Sequence, residues 1–477
     1  MESLPHALLG EIVKWVTDKN DRSSLSLVSK LLYTVEAEQR DSLRIGCSLC
    51  LCTVAVASLC SRFPNLCKVE INYSGWNKKK KNSGMQLDNQ GLHILSSSCL
   101  LLTDLTLSFC SYINDSGLGC LTSCKKLQCL RLTSLPAISS VGLLGVVVGC
   151  RSLSALHLIG FEKQWMRYHG QDGVLDEVVT MGCKGVNQYD LLQLGPGWTK
   201  LQKFEFRVKG FVDRDRPCDP SYVPNCQYNY DFSCEALKDL TLARVVTVPE
   251  VGLRCLLSKC KALEKLSLHY VFGISDSDMI SLSHICNNLR SISLRLLPLR
   301  LEGRGFTTPL TDESLKALAL RCPILQSVEI IIWGCDPSWP SELSFTQEGL
   351  VTLIQSCPIR DLVLSGANCF DDVGMKTLSC AQFLESLELV YCVAITDAGI
   401  RLLAQSLSLL NLTLRYCQGF TDYGVGEVVR TKKLETLIVE GCSGVSLKAV
   451  QGSAKSVRYK DVNDGDIDSC LLDRIYY

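Results

Sequence analysis

Charge of one sign, long hydrophobic runs and histidine are all scarce in this 477-residue chain, and each shortage excludes a class of function. Lysine plus arginine number 49 and aspartate plus glutamate 49, so no net field draws the chain to nucleic acid or to an anionic membrane. The longest tidy apolar stretch, Leu49 to Cys60, is about half of the ~20 residues a membrane-spanning helix needs. Met1-Glu2-Ser3-Leu4-Pro5 carries neither the basic region nor the long apolar core of a secretion signal. The expectation is a soluble, cytoplasmic and/or nuclear protein with no nucleic-acid or membrane partner. P-loop, nucleophile-elbow and His-Glu-x-x-His motifs are missing, so no catalytic residue is expected. Asp461-x-Asn463-Asp464-Gly465-Asp466-x-Asp468 has the look of a calcium loop. Its glycine comes one place early, and Leu472 stands where a bidentate glutamate is needed.

Cysteine, by contrast, is abundant. An odd total of 27, without a secretion signal, argues against a disulfide framework. Cys47-x-x-Cys50-x-Cys52 is the one cluster resembling a metal site. With only 6 histidines and no second Cys-x-x-Cys nearby, neither a metal nor a cofactor is expected. Ten other cysteines recur with leucines. Cys99, Leu102, Leu105, Leu107, Cys110, Ile113, Asp115, Gly117 and Leu118 form one period, and Cys124, Leu127, Leu130 and Leu132 begin the next. The pattern returns from Cys150, Cys260, Cys286 and Cys322, and again around Cys392, Cys417 and Cys442. In Leu-x-Leu both leucines point into a core from a short strand while the middle residue points outward. Cysteine then supplies a compact hydrophobe with a weak S–H donor. Ser275-Asp276, Thr311-Asp312, Thr396-Asp397 and Thr421-Asp422 read as helix N-caps. The glycine of this box is expected to let neighbouring coils approach.

One such period cannot bury its own apolar face, so the coils must stack. The predicted fold is an α/β leucine-rich-repeat solenoid, a curved horseshoe of about 13 coils. Strand pairs are expected to begin at Val69, Leu105, Leu130, Leu156, Phe204, Leu240, Leu266, Ile292, Val328, Leu362, Leu387, Leu412 and Leu437, with a weaker one near Val457. The stretch between Leu156 and Phe204 is long enough to hold a degenerate extra repeat.

Residues 1–42 do not fit the period. Leu8, Leu9, Ile12, Val13 and Val16 have helical spacing after Leu4-Pro5, Asp18 to Asp21 reads as a turn, and Leu25, Val28, Leu31 and Leu32 form a second helical stripe. Leu4-Pro5-x-x-Leu8-x-x-x-Ile12 followed by Arg22-x-x-Leu25-Ser26-Leu27-Val28-Ser29-Lys30-x-x-Tyr33 resembles an F-box. Joined to cysteine-containing repeats, the chain resembles F-box/leucine-rich-repeat substrate receptors of SCF ubiquitin ligases, plant members most closely. The resemblance implies an F-box-like module over 1–42, the solenoid over 43–460, and an acidic tail or cap over 461–477. It also implies two partners: a Skp-type adaptor, and through it cullin, held by Leu4, Pro5, Leu8, Ile12, Leu25 and Val28; and a protein substrate held by the solenoid. The alternative is a repeat protein that binds a protein or small ligand and whose first helices only cap the first coil.

Four inserts, Ile159 to Asp172, Arg207 to Ser233, Arg295 to Thr311 and Ile331 to Phe345, follow strands in the same register and are expected to leave from one rim. They carry Trp165, Tyr168, Tyr222, Tyr228, Tyr230, Trp333 and Trp339, residue types that dominate binding hot spots. A second candidate surface is the outward strand positions, with Arg131, Arg207, Arg295 and Arg415 as possible anion ligands. Glu205, Glu329, Glu388 and Glu440 line the same face and favour a mixed, solvated surface.

Overall fold

The computed structural model of the chain describes residues 4–16, 18–46, 53–74, 86–161, 175–183, 199–208, 234–245, 253–271, 273–297, 299–300, 306–332 and 345–461. It divides into two compact units, Met1–Gly210 with Asn229–Cys234, and Phe211–Tyr228 with Glu235–Tyr477. The first unit begins with helices α1 (His6–Trp15), α2 (Lys19–Leu25) and α3 (Lys30–Gln39). Parallel strands follow, each paired with the next: β1 (Ser42–Ile45), β2 (Lys68–Asn72), β3 (Asp104–Ser108), β4 (Cys129–Thr133), β5 (Ala155–Ile159), β6 (Glu177–Cys183) and β7 (Lys203–Val208). Helices α4 (Thr53–Arg62), α5 (Asn89–Ser98), α6 (Asp115–Gly119) and α7 (Ser140–Gly149) alternate with the earlier strands.

The second unit continues the alternation. Its parallel strands are β8 (Asp239–Ala243), β9 (Lys265–His269), β10 (Ser291–Leu296), β13 (Ser327–Ile332), β14 (Asp361–Ser365), β15 (Ser386–Val390), β16 (Asn411–Arg415), β17 (Thr436–Glu440) and β18 (Ser456–Lys460). A short antiparallel hairpin, β11 (Leu299–Arg300) with β12 (Phe306–Thr307), sits within the third expected insert. The helices are α8 (Leu253–Leu257), α9 (Asp276–Ile285), α10 (Asp312–Arg321), α11 (Gln347–Ser356), α12 (Asp372–Ser379), α13 (Asp397–Leu402), α14 (Asp422–Arg430) and α15 (Leu447–Val450). The architecture is an α/β leucine-rich-repeat solenoid.

Registers match the motif residue for residue: Leu105 aligns with Leu130, Leu130 with Leu156, Leu387 with Leu412, and Leu412 with Leu437. These inward positions are fully buried, as are the repeat cysteines. The cysteines also use their weak donors. Cys150 Sγ reaches the carbonyl of Leu121 at 3.3 Å, and Cys286 Sγ reaches that of Cys260 at 3.1 Å, each one coil back. Burial pushes the thiols of Cys110 and Cys442 up to about 12.

The number of coils departs from expectation. Strands at Leu43 and Val178 add to the predicted set, and the weak one at Val457 is a full member, β18. The Leu156–Phe204 stretch therefore does hold an extra repeat. Its second inward residue is Thr180 in place of an aliphatic, buried because its hydroxyl donates to the Glu205 carbonyl at 3.4 Å. That hydroxyl is what breaks the Leu-x-Leu pattern.

The Thr/Asp box has a mechanism that links successive coils. Thr396 caps α13 by accepting from the Ala398 N–H, and the carboxylate of Asp372, one coil earlier, accepts both the Thr396 N–H at 2.8 Å and its hydroxyl at 2.5 Å. Asp397 does the same for Thr421, Asp422 for Ser446, Asp276 for Thr311 and Asp115 for Ser139. Where glycine stands two residues after a cap's aspartate, the space a side chain would need is already taken, whereas the coil capped by Thr311 carries Ser314 there and its hydroxyl itself bonds Asp276. A Cβ on Gly424 would lie 2.5 Å from Asp397 Oδ1, and one on Gly399 2.2 Å from Asp372 Oδ1. The aspartate of one coil occupies the site that the next coil's side chain would fill.

Candidate interaction surfaces

The helical module is where sequence and structure differ most. Asp18 to Asp21 is not a free turn: the Asp18 carboxylate accepts from the N–H groups of Asn20 and Asp21 and so starts α2. Nor is Leu25 to Tyr33 one helix. Ser29 adopts extended backbone and its hydroxyl oxygen accepts the Leu32 N–H, which starts α3 afresh. Leu25 therefore ends α2, and Val28 lies in the turn between helices.

Two faces of α1 behave in opposite ways. Leu9 and Val13, 2% and 1% exposed, form a small core with Leu32 and Val35 of α3. Leu4, Leu8 and Ile12 all stand in solvent on the other face, and Trp15, next along it, is 83% exposed. Pro5 is exposed at the helix start, Val28 is exposed, Leu25 is half-buried, and Leu27 is 85% exposed beside it. Trp15 and Leu27 escape the motif reading, although Trp15 continues the Leu4, Leu8, Ile12 spacing and is legible from it.

A polar seam joins the module to the first coil. Glu36 of α3 is fully buried and pairs with Arg40 at 2.5 Å and with Arg62 of α4 at 3.7 Å. The Arg62 guanidinium also lies 4.1 Å over the Tyr33 ring and 4.8 Å over Phe63. Asn65 adds a hydrogen bond to the Glu38 carbonyl at 2.8 Å. The module thus turns charge toward the solenoid and apolar side chains away from it.

On the outward strand positions each predicted arginine meets a carboxylate. Arg131 lies 3.7 Å from Asp104, Arg207 2.5 Å from Glu205, and Arg295 2.9 Å from Glu329. Arg415 is bracketed by Glu388 at 2.7 Å and Glu440 at 2.9 Å, and Arg458 closes the row 3.3 Å from Glu440. His157 follows the same rule 3.0 Å from Glu177, yet its burial still lowers the imidazole's proton affinity below the ordinary value. Such alternation satisfies these cations internally. Trp165, Tyr168, Tyr222, Tyr228, Tyr230, Trp333 and Trp339 lie outside the described residues, as do Cys47, Cys50 and Cys52. Among the described residues no group of His, Cys, Asp or Glu is arranged to hold a metal ion, and no helix is long and apolar enough to cross a membrane.

Residues 380–404, which run from the end of α12 through β15 and α13, match the Leucine Rich repeat family. Among solved structures the chain is similar to one from the Rad7 and Elc1 complex in yeast. The identity is 16%, with a TM-score of 0.50, over 94% of this chain and 95% of that one. It also aligns with an internalin of Listeria monocytogenes at 14% identity and a TM-score of 0.38, covering 87% and 92% of the two chains. A TLR13–ssRNA13 complex aligns at 14% and 0.49, covering 86% and 57%. At 16% identity the likeness to the yeast chain is one of fold.

Proposed function

We propose that the chain is the substrate-recognition subunit of an SCF-type ubiquitin ligase, itself non-catalytic. In this reading α1 docks a Skp-type adaptor, and through it cullin, while the solenoid holds a protein substrate. The observation that carries this reading is the direction in which α1 faces. A helical cap that only shielded a first coil would turn its polar side to water. Here Leu4, Leu8, Ile12 and Trp15 are the water-facing side, spaced as anchors for a groove on a partner. The resemblance of Leu4-Pro5 to Tyr33 to an F-box supports the same reading. So does the likeness in fold to a chain from a complex of Rad7 with Elc1, a case of a similar chain crystallised with a second protein. The receptor contributes proximity: it raises the effective concentration of a substrate near the ubiquitin-loaded enzyme and supplies no chemical group.

Co-expression with a Skp-type adaptor, followed by gel filtration, tests the proposal. A stable complex is expected from the native chain and none from Ile12→Asp, with the thermal melting of the variant unchanged. An adaptor complex that survives Ile12→Asp, or no complex with the native chain, would return the helices to the role of a cap.

A further inference from the structure

One contact between the first two coils of the solenoid takes no part in the reading above. Where helices end, cysteine thiols find a backbone carbonyl one coil back: Cys124 Sγ reaches that of Ser96 at 3.5 Å, and Cys357 Sγ that of Cys322 at 3.6 Å, as Cys150 and Cys286 do. The cysteines that follow strands behave alike, Cys392 and Cys417 each lying within reach of two carbonyls. Cys99 departs from this. Its Sγ donates to the Sγ of Cys60, 3.6 Å away, and both thiols are buried. The alignment of Val69 with Leu105 shows why. Counted back from those two residues, Phe63 stands in the first coil where Cys99 stands in the second, and Cys60 stands where Ser96 does. Cys124 takes the Ser96 carbonyl, whereas Cys99, one coil earlier, meets a sulfur at the corresponding place.

Such a pair is close to a cross-link. Disulfide sulfurs stand about 2.05 Å apart, so the gap must close by about 1.5 Å, which rotation about the two Cα–Cβ bonds can supply. The contact also makes the two sulfurs unlike. The Cys99 S–H donates to Cys60 and lowers the pKa of that thiol against the opposing effect of burial, while donation and burial both raise Cys99. Cys60 therefore ionises first, and at 6% exposed against 2% it is also nearer to water. We propose that Cys60 and Cys99 form a reversible oxidation site that takes hydrogen peroxide as its substrate and closes to a disulfide between the first and second coils. The Cys60 thiolate attacks one peroxide oxygen. An S–O bond forms, the O–O bond breaks, and the leaving hydroxide takes up the proton Cys60 had lost, giving water. The Cys99 sulfur then attacks the Cys60 sulfenic acid. The S–S bond forms as the S–O bond breaks, and a second water leaves with the Cys99 proton. Two thiols thus lose two electrons and two protons, and one peroxide becomes two waters. A dithiol reverses the bond by exchange. The disulfide clamps α4, whose Arg62 pairs with Glu36 of the helical module, onto the second coil. The site is separate from the outward face of α1, and the proposal stands whether or not α1 binds an adaptor.

The test exposes the reduced full-length chain to hydrogen peroxide, blocks the remaining thiols with an alkylating agent, and maps disulfides by mass spectrometry of the unreduced digest. A peptide pair joined through Cys60 and Cys99 is expected, lost on treatment with dithiothreitol, and the linked chain should melt about 3 °C or more above the reduced one. Cys99→Ser should stop the reaction at the Cys60 sulfenic acid, which dimedone captures, and Cys60→Ser should leave Cys99 unmodified. Circular dichroism checks that both variants fold, and Cys60→Ala and Cys99→Ala replace them where a buried serine hydroxyl unfolds the chain. No linked pair from the folded chain, or linkage that appears only in denaturant, would overturn the proposal. So would a bond from Cys60 to Cys47, Cys50 or Cys52, or from Cys99 to Cys124, in place of the expected one. A linked chain that melts no higher than the reduced one would overturn the clamp.

Discussion

Helix α1 and the strand row β15–β18 are both built from alternating residues with one side buried, yet they leave opposite things unfinished. Along β15–β18 the buried side is complete, and the outward charges complete one another: Glu388, Arg415, Glu440 and Arg458 form a neutral, closed row. Along α1 the buried side is as complete, through Leu9 and Val13, but the outward side is apolar and unanswered. Neutral ion-pair rows on a surface add little to binding, because a partner must first displace them. Apolar side chains in water offer their whole transfer free energy to whatever covers them, about 1.5–3 kcal/mol for a large residue. The unused interaction energy of α1 is therefore apolar, whereas the row from Glu388 to Arg458 holds little.

The largest effect should come from the seam that lets the module show that face. Glu36→Ala removes a fully buried carboxylate and leaves Arg40 and Arg62 facing each other without their counter-charge. Breaking a buried pair costs about 3–5 kcal/mol. Both arginines keep partial access to water, so the expected loss is about 3 kcal/mol in chemical denaturation. A loss below about 1 kcal/mol would mean that Arg62 is held mainly by the Tyr33 and Phe63 rings. Next in size is a direct contrast within α1. Val13→Ala should lower stability by roughly 1–3 kcal/mol through the cavity it leaves, whereas Leu8→Ala should leave stability within about 0.5 kcal/mol and cost adaptor affinity. Equal stability losses for the two would show that the outward face is covered within the chain itself.

How much of this was legible depended on whether one residue type could serve the position. Leu, Cys and the Thr-Asp-x-Gly box are forced by burial, by a small weak donor and by a capping carboxylate, so Leu105, Cys417 and Thr421-Asp422 announced their elements. Thr180 did not, because a satisfied hydroxyl fills an aliphatic's place and hides the β6 repeat. The ends of the module helices stayed unclear because Asp18 and Ser29 are equally at home in turns and caps. Ion pairing was illegible too: strands alternate in sequence, but whether Arg415 meets Glu388 depends on register between coils 27 residues apart. The aspartate's reach into the next coil, and hence the reason for its glycine, was visible only as a fixed spacing.

That glycine gives a sharper contrast within one helix, and a smaller effect. In α14, a Cβ at Gly424 would meet Asp397 at Oδ1 and at its Cα, 2.9 Å away, whereas one at Gly426 meets nothing within 4 Å. Gly424→Ala should therefore destabilise by roughly 1–3 kcal/mol through overpacking. Gly426→Ala should stabilise by about 0.5–1 kcal/mol, because alanine is the better helix former. Opposite shifts in melting temperature from identical substitutions two residues apart would locate the constraint in the contact between coils. Shifts of the same sign would place it in helix propensity alone.

The smallest expected effect is electrostatic, and it reads the same contact from the other side. Burial by itself would raise the Asp397 carboxyl, but the Thr421 N–H and hydroxyl, the Gly424 N–H and the Arg401 charge outweigh it and hold the group below its ordinary value. A carboxylate whose folded pKa is depressed contributes stability that is fully present above its unfolded value, about 3.9, and is lost as pH falls through the folded value. Asp422, Asp372 and Asp276 make the same bonds to their own neighbours. Asp397→Asn keeps the shape and one acceptor but removes the titration. Its stability should fall short of the native chain's at neutral pH and converge on it as pH drops below about 4. Because Asp397 is near the surface, the gap should also shrink in high salt. A gap that stays constant from pH 7 to pH 3 would show that the aspartate acts through shape alone, as the neutral Asn89 does toward Asn114 in the first unit.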